Sequence, residues 1–265
     1  MYATSYHRAS SVEDAVKLQS AHEEGKYLSG GMTLISTMKQ RLAAPSDLID
    51  LRHIPALRGI SIEGRRVKIG AATPHAEVAG SRELRAVCPA ICELAGHIGD
   101  PHVRHMGTIG GSIANNDPAA DYPAAVLGLG ATVITDRRSI AADDYFTGLF
   151  ETALEEGEMV TAVTFDAPEK AGYAKFNNPA SRFAMTGVFV ARAAGGVRVA
   201  VTGAGSGGVF RQSGFEQALS SNWSPDALAS VAVDSSNLLS DLHADAEYRA
   251  NLVKVMAKRA VAAAG

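Results

Sequence analysis

Hydrophobic and polar positions in the first fifty residues follow a helical spacing that is interrupted by short apolar steps. Ser10 and Glu13 have the spacing of a capping box at the start of a helix, and Gly25 ends that helix. A second helix is predicted over residues 33–42, and the apolar run at residues 48–51 predicts a buried strand. The opening of the chain therefore has the character of a β/α unit.

The middle of the chain changes to alternating apolar and polar residues. Residues 58–70 alternate on both sides of the turn Glu63-Gly64-Arg65, which predicts a β-hairpin. Further elements are predicted as helices near residues 75–79 and 89–98 and as strands over residues 131–135 and 159–165.

The last third is again rich in strand patterns and ends in a long helix. Two apolar runs, 185–194 and 197–203, are separated by Gly195-Gly196 and predict a second hairpin. Ser224 is predicted to begin one helix, and residues 244–264 are predicted to form the longest helix of the chain.

These changes of pattern predict an α+β protein with three lobes. The boundaries are placed near residues 55 and 168, which gives lobes of residues 1–55, 56–168 and 169–265. A chain of 265 residues exceeds the usual size of one domain, so several lobes within one body are expected.

Composition and charge exclude several classes of protein. Hydrophobic residues make up 46% and charged residues 20%, as in an ordinary soluble globule. The net charge of −3 comes without a basic stripe, which argues against a nucleic-acid-binding protein. The N-terminal residues lack the basic and apolar segments of a secretory signal, and no run has the length of a membrane span. The sequence therefore predicts a soluble, cytoplasmic protein.

The chain has two cysteines, Cys88 and Cys92, which are too few to ligate an iron–sulfur cluster. A zinc site at these thiols needs further ligands, and His97 and His102 are the nearest. The more ordinary interpretation is that both thiols are small buried residues of a helix. We therefore predict no metal bound to this chain.

The first of two glycine-rich segments comes between the apolar step Tyr27-Leu28 and a predicted helix. Glycines lack a β-carbon, so backbone N–H groups in such a turn can approach an anion such as a pyrophosphate closely. A simple reversal of the chain is the alternative. The residues in question are Ser29, Gly30, Gly31, Met32 and Thr33.

The second glycine-rich segment is interpreted as a polar loop between two helices. Such a loop loses conformational entropy when it becomes ordered, so a bound ligand is expected to fill it. A diphosphate, ribityl hydroxyls and a flavin ring suit its hydrogen-bond donors. Neither segment has the pattern of a P-loop or of a dinucleotide-binding βαβ unit. The residues in question are Thr108, Ile109, Gly110, Gly111 and Ser112.

Together the two segments resemble the FAD-binding signatures of the molybdenum hydroxylase flavin subunits. This family includes the medium subunit of aerobic carbon monoxide dehydrogenase, the closest in pattern, and the related FAD domain of xanthine dehydrogenase. The resemblance continues through P-S-D-L-I-D-L-R-H-I-P-A-L-R-G-I, Y-A-K-F and A-E-Y-R-A-N-L-V-K-V-M-A-K-R-A. It runs in order over essentially the whole chain.

The resemblance implies an FAD-binding fold of the vanillyl-alcohol-oxidase (PCMH) type. In that fold two N-terminal α/β lobes hold FAD, and a C-terminal lobe of antiparallel strands and helices completes it. It assigns residues 29–33 and 108–112 to the FAD phosphates and ribityl chain, and Asp121 and Lys175 to cofactor contacts. The alternatives are that Asp121 only caps a helix running through Leu127 and that Lys175 is a surface residue.

The resemblance also implies that the chain is an electron relay. The molybdenum cofactor and 2Fe–2S clusters would lie on a large and a small partner subunit, in a dimer of heterotrimers, and FAD would pass electrons to an external acceptor. Lys175 would stabilise the anionic reduced flavin. Arg104, His105 and residues 177–182 are candidates for the edge near the flavin. A stand-alone FAD oxidase or reductase and an assembly protein that has lost FAD are the competing hypotheses.

The chain departs from the family pattern at three positions. Ser112 stands where family members commonly have Asn. Arg182 and Phe183 stand where some carbon monoxide dehydrogenase subunits have Asp and Tyr. These departures bear on the electrostatics of the flavin and leave the electron acceptor and the substrate of the whole enzyme open.

Overall fold

The computed structural model describes residues 1–264 and begins with a small parallel sheet. Its strand order is β1-β3-β2, and both strand pairs are parallel because a helix returns the chain to the same edge each time. The elements are β1 (Ser5–Arg8), α1 (Val12–Ala21), β2 (Lys26–Leu28), α2 (Leu34–Lys39) and β3 (Asp47–Asp50). The β/α character predicted for the opening is confirmed.

The first helix begins one residue later than its predicted capping pair indicates. The hydroxyl of Ser11 accepts a hydrogen bond from the amide of Asp14 at 3.1 Å. The carboxylate of Asp14 in turn accepts from the amide of Ser10 at 2.8 Å. Ser11 is therefore the N-cap, and Asp14 bonds back to Ser10 and not to the Ser11 amide, so the assignment of a capping pair to Ser10 and Glu13 was wrong.

The second sheet is antiparallel, with the strand order β4-β5-β10-β6-β7, and short helices surround it. The predicted hairpin at residues 58–70 is confirmed, and Gly64 in its turn has a φ of 60°. The strands of this sheet are β4 (Ile60–Glu63), β5 (Arg66–Gly70), β6 (Thr132–Thr135), β7 (Ser139–Ala141) and β10 (Val160–Asp166). Two further strands, β8 (Phe146–Gly148) and β9 (Glu151–Thr152), pair with each other in a separate small sheet. The helices are α3 (His75–Gly80), α4 (Arg82–Val87), α5 (Pro89–Gly96), α6 (Pro101–Met106), α7 (Ile109–Asn115), α8 (Tyr122–Gly128) and α9 (Ala142–Tyr145).

The third sheet is also antiparallel, in the order β11-β12-β13-β14, and the longest helix packs on it. The second predicted hairpin is confirmed as β12 and β13, which pair up to Gly196. The predicted helix after Ser224 is only a 3-10 turn, Pro225–Leu228. The elements are β11 (Lys170–Asn177), β12 (Ala184–Ala193), β13 (Gly196–Thr202), β14 (Phe210–Arg211), α10 (Ser213–Ser221) and α11 (Ala246–Ala263).

The largest hydrophobic core crosses from the second sheet to the third. Val133 and Val163 of the second sheet belong to the same buried cluster as Phe189 of β12. A β-carbon added to Gly128 would lie 2.8 Å from the Phe189 ring, so α8 packs directly on β12. A smaller core joins Ile49 of the N-terminal sheet to Leu57, Ala72 and Met159. The lobe boundaries at residues 55 and 168 stay a prediction, since each large sheet falls within one range but a core joins the last two.

No helix in residues 1–264 combines the length and the apolar character that crossing a membrane requires.

Candidate functional site

A cavity of about 710 Å³ lies where the N-terminal lobe meets the second lobe. Its volume is within the range of roughly 300–1,000 Å³ that is typical of cofactor and ligand pockets. Both glycine segments line it, together with residues 152 and 154–160 and the tip of the loop after β11. Of the predicted site residues, those that line the cavity are Ser29, Gly30, Gly31, Met32, Thr33, Thr108, Gly110, Gly111, Ser112 and Asp121.

The first glycine segment presents unused backbone donors. Within the described residues, none of the five consecutive amides of residues 29–33 donates a hydrogen bond to the protein. Gly31 has a φ of 70°, a conformation that side chains other than glycine rarely adopt. A β-carbon on Gly30 would lie 2.1 Å from the carbonyl oxygen of Met106. Glycine is therefore required here both by the backbone conformation and by contact with the chain before the second segment.

The second glycine segment is the start of helix α7, so its interpretation as a loop was wrong. The hydroxyl of Thr108 caps the helix and accepts from the amide of Gly111 at 3.1 Å. The amide of Ile109 donates to the Thr73 carbonyl and that of Gly110 to the Ala71 carbonyl, at 3.3 and 2.9 Å. These donors are already used within the protein, so the helix offers the cavity mainly its side chains and a glycine surface.

Close packing explains the glycine at position 110. A β-carbon there would lie 2.5 Å from the side chain of Ala71, directly after β5. Gly111 is less crowded, since a β-carbon would lie 3.1 Å from the Thr108 hydroxyl and 3.9 Å from Ser29. Ile109 is fully buried in the core and does not line the cavity. A hydrogen bond of 2.9 Å between the hydroxyls of Ser29 and Thr108 joins the two segments.

Asp121 is a buried residue of the cavity wall, and Lys175 lies behind it. The Lys175 ammonium is 2.9 Å from a carboxylate oxygen of Asp121, and its side chain is 2% exposed. The hydroxyl of Tyr173 donates to the same carboxylate at 2.5 Å. Burial raises the pKa of Asp121, while the charge of Lys175 and the hydrogen bond from Tyr173 oppose that rise.

The two simpler readings of these residues are wrong. The Asp121 side chain makes no hydrogen bond to the helix that follows it, so it is not a cap. Lys175 is not a surface lysine, because it also donates to the carbonyls of His97 and Arg182. Lys175 does not itself line the cavity, so any effect it has on a bound cofactor passes through Asp121.

Two cavity residues with buried polar atoms were not identified as site residues from the sequence. Gln19 lies on α1, and its amide oxygen is buried without a hydrogen-bond partner within the described residues. The Nδ1 atom of His75 is also buried and unpartnered in that part of the chain. Burial, assisted by the positive charge of Arg104, lowers the pKa of His75 to about 4, so its ring is neutral at neutral pH. No local motif marks either residue, since each reaches the cavity only through tertiary packing.

Some of the residues proposed for the edge of the site line the cavity, and others do not. Ser181, Arg182 and Phe183 line it, and Phe183 is 47% exposed. Arg104 instead donates to the carbonyls of Ile98 and Gly99 at 2.9 and 3.1 Å and holds that turn in place. His105 is exposed on α6 and does not line the cavity.

The sequence that builds this site matches a family of flavin-binding domains. Residues 2–167, which hold both glycine segments and Asp121, match the family described as the FAD binding domain in molybdopterin dehydrogenase. The chain belongs to this family. Its residues also fit the cofactor, because the unpaired amides of residues 29–33 suit a diphosphate and the cavity is long enough to reach the aromatic Phe183.

Relatives from this family extend over the full length of the chain. The nicotine 6-hydroxylase medium subunit of Paenarthrobacter nicotinovorans is 34% identical over 99% of this chain and 98% of its own. The carbon monoxide dehydrogenase medium chain of Afipia carboxidovorans is 38% identical over 97% of this chain and 94% of its own. The resemblance inferred from the sequence is thereby confirmed.

Solved structures support the same conclusion. A crystal structure of the Cu,Mo-CO dehydrogenase contains a chain with a TM-score of 0.87 and 36% identity, covering 98% of this chain and 97% of its own. Quinoline 2-oxidoreductase from Pseudomonas putida 86 reaches a TM-score of 0.88 at 23% identity over 99% of this chain and 97% of its own, which shows a shared fold. The α+β, PCMH-type flavin-binding fold implied by the sequence is confirmed for this family member.

Proposed function

We propose that this chain is the FAD-carrying, electron-transfer subunit of a heteromeric molybdenum hydroxylase. The observation that carries the proposal is a cavity lined both by residues 29–33, whose five amides have no partner within the described residues, and by the α7 helix of the family signature. FAD, when bound, supplies the redox chemistry, and the protein supplies its position and electrostatic surroundings.

In this proposal, different residues of the chain bind different parts of FAD. The amides of residues 29–33 donate to the diphosphate, which is the most strongly charged part of the cofactor. The hydroxyls of Ser29, Thr108 and Ser112 are available to the phosphates and ribityl chain. Asp121, held by Lys175, presents a hydrogen-bond acceptor whose ionisation the neighbouring ammonium supports.

Three of the ionisable side chains that line the cavity are poorly suited to act as the general base of a stand-alone oxidase. A general base must be within reach of a substrate and have a pKa near the working pH. Among the described residues that line the cavity, His75 has its pKa lowered to about 4 by burial, and Asp121 is tied to Lys175. Glu158 is bound by Arg138, whose hydrogen bonds lower the pKa of that carboxyl to about 2. These contacts support the relay rather than an independent catalyst.

The relay requires partners for the other redox groups. Cys88 and Cys92 are both buried, and burial raises the pKa of Cys88 to about 12, so neither thiol is disposed to act as a thiolate ligand. Several full-length relatives are named as medium subunits or medium chains. We therefore place the 2Fe–2S clusters on a small subunit and the molybdenum cofactor on a large subunit, in a cytoplasmic dimer of heterotrimers with an external electron acceptor.

The substrate pocket in this arrangement belongs to the large subunit. Carbon monoxide, purines, other N-heterocycles and aldehydes are the substrate classes to be distinguished there. Arg182 and Phe183 line the cavity of this chain, so their departure from the pattern bears on electron transfer to the acceptor.

Reconstitution tests the proposed function. The chain loaded with FAD is expected to show no substrate-driven flavin reduction, because the reaction centre lies on another subunit. Addition of both partner subunits is expected to restore flavin reduction, as measured by bleaching of the flavin absorbance in stopped flow. Reduction of the isolated chain by substrate at the rate of the complex would overturn the relay and favour a stand-alone flavoenzyme.

A further inference from the structure

Two imidazoles face one buried carboxylate at the start of β3. The Nε2 atom of His7 is 2.6 Å from one oxygen of Asp47, and the Nδ1 atom of His22 is 3.4 Å from the other. Asp47 is 7% exposed. His7 comes from β1 and His22 follows the end of α1, so the cluster joins three elements of the N-terminal lobe.

Asp50, a second buried aspartate on β3, forms an ordinary ion pair and serves for comparison. Asp50 receives the guanidinium of Arg52 at 2.8 Å and the hydroxyl of Tyr6 at 2.5 Å. The Nε2 atom of the neighbouring His53 is 3.9 Å from a carboxylate oxygen of Asp50. Asp47 differs because it has no lysine or arginine partner within the described residues, so both of its oxygens face imidazole nitrogens.

The donor set at Asp47 is that of a divalent transition-metal site. One ligand atom from each of the three residues can be chosen so that all lie within 4.8 Å of one another. Zinc binds imidazole nitrogen and carboxylate oxygen at about 2.0–2.2 Å, and it tolerates an open position filled by water. The side chains of His7 and His22 are 27% and 33% exposed, which leaves an ion a path to the cluster from solvent.

The arrangement of the two rings fits the same chemistry. The two rings lie with their centroids 4.7 Å apart and are tilted by 31°, so both can turn toward one ion above the carboxylate.

We propose that His7, His22 and Asp47 form a binding site for a divalent cation of the zinc class, separate from the cofactor cavity. None of the three residues lines that cavity. The ion would hold β1, the end of α1 and β3 together. These elements belong to the same part of the chain as the first glycine segment. The prediction of no metal rested on the surroundings of Cys88 and Cys92, and it did not consider residues that only the fold brings together.

The test uses the full chain with its FAD, treated with a chelator and then titrated with zinc chloride in a calorimeter. One zinc ion per chain is expected to bind, and magnesium at millimolar concentration is expected not to compete, because imidazole ligands favour the softer ion. His22→Gln and Asp47→Asn are each expected to weaken zinc binding by at least about tenfold, since loss of even an outer partner of a metal site costs about 10–100-fold.

His53→Gln is the matched control, because it removes a histidine beside a buried aspartate that an arginine already occupies. It is expected to bind zinc as the wild type does. Zinc is also expected to raise the unfolding temperature of the wild type and of His53→Gln, but not of His22→Gln. Should Asp47→Asn fail to fold, His22→Gln still decides the question, since its side chain is a third exposed. Absence of stoichiometric zinc binding, or unchanged binding in His22→Gln, would overturn the proposal.

Discussion

Residues 29–33 and residues 108–112 both carry a pair of glycines at the cavity, yet the two segments use their backbones in opposite ways. In the first, the amides have no partner within the described residues. In the second, the amides of Ile109, Gly110 and Gly111 donate to Thr73, Ala71 and the Thr108 hydroxyl. The first segment therefore supplies hydrogen-bond donors to a ligand, whereas the second supplies a tightly packed wall.

The difference shows that a glycine-rich motif does not by itself identify an anion-binding loop. Gly31 is required by its positive φ, but neither Gly110 nor Gly111 has one. Gly110 is required because a side chain would collide with Ala71. The same residue type thus meets a conformational requirement in one segment and a packing requirement in the other.

The largest expected effect comes from filling the gap between the two segments. Gly111→Val is expected to abolish FAD retention while most of the fold remains, because its branched side chain would displace the Thr108 cap and extend toward Ser29. The flavin content of the purified protein measures this. Gly111→Ala is the milder partner and is expected to keep more FAD. Wild-type flavin content in a soluble Gly111→Val protein would show that this wall does not contact the cofactor.

A proline in the first glycine segment tests whether its backbone amides donate hydrogen bonds to FAD. Thr33 has a φ of −88°, and proline imposes about −65°, so Thr33→Pro removes an N–H group without a large change in φ. A hydrogen bond to a charged group contributes about 1.5–3 kcal/mol, so FAD affinity is expected to fall about 10–150-fold. Fluorescence titration of the apoprotein measures the affinity.

Thr33→Val is the control for that variant, because it loses the hydroxyl but keeps the amide. It is expected to bind FAD nearly as the wild type does. Equal affinity in Thr33→Pro and Thr33→Val would mean that the first segment is a chain reversal and not a phosphate site.

The smallest expected effect comes from removing the positive charge of Lys175, which lies behind Asp121 of the cavity wall. Lys175→Ala is expected to lower the reduction potential of the flavin more than its affinity, since the negative charge of Asp121 then lacks its counter-ion. One partly screened charge contributes on the order of 1 kcal/mol. Removal of Lys175 raises the pKa of Asp121 further, so the change in potential should shrink as pH falls and Asp121 becomes protonated.

Redox titration at several pH values checks this expectation. Lys170→Ala is the control, because Lys170 lies on the same strand but does not line the cavity or contact Asp121. A potential in Lys175→Ala that equals that of the control at every pH would restrict Lys175 to a role in stability.

The elements in which apolar and polar residues alternate regularly were predictable from the sequence. Elements whose residues are explained only by contacts with distant parts of the chain were not. The hairpins at residues 58–70 and 185–203 follow from alternation around glycine turns. Helix α7 was missed because its small residues look like a loop, and only contact with Ala71 explains them. Strand β11 was missed although it carries Lys175, because its partners come from β12 and not from local pattern.

The same limit applies to the site. The glycine segments and Asp121 were found because they carry a family signature in sequence. Neither Gln19 nor His75, one of 8 histidines, belongs to a motif that marks it as a site residue. Their places in the cavity depend on how the lobes pack, as does the cluster of His7, His22 and Asp47.

The core shared by the second and third sheets has a consequence for how the molecule unfolds. The matched family domain ends at residue 167, but Phe189 and Ala200 beyond it are fully buried in the same cluster as Val163 before it. A fragment cut at that point would expose this apolar face to solvent and tend to aggregate. The second and third sheets are therefore expected to unfold as one cooperative unit. The N-terminal sheet is joined to this unit by a smaller core, because Leu57, Ala72 and Met159 pack in the same cluster as Ile49.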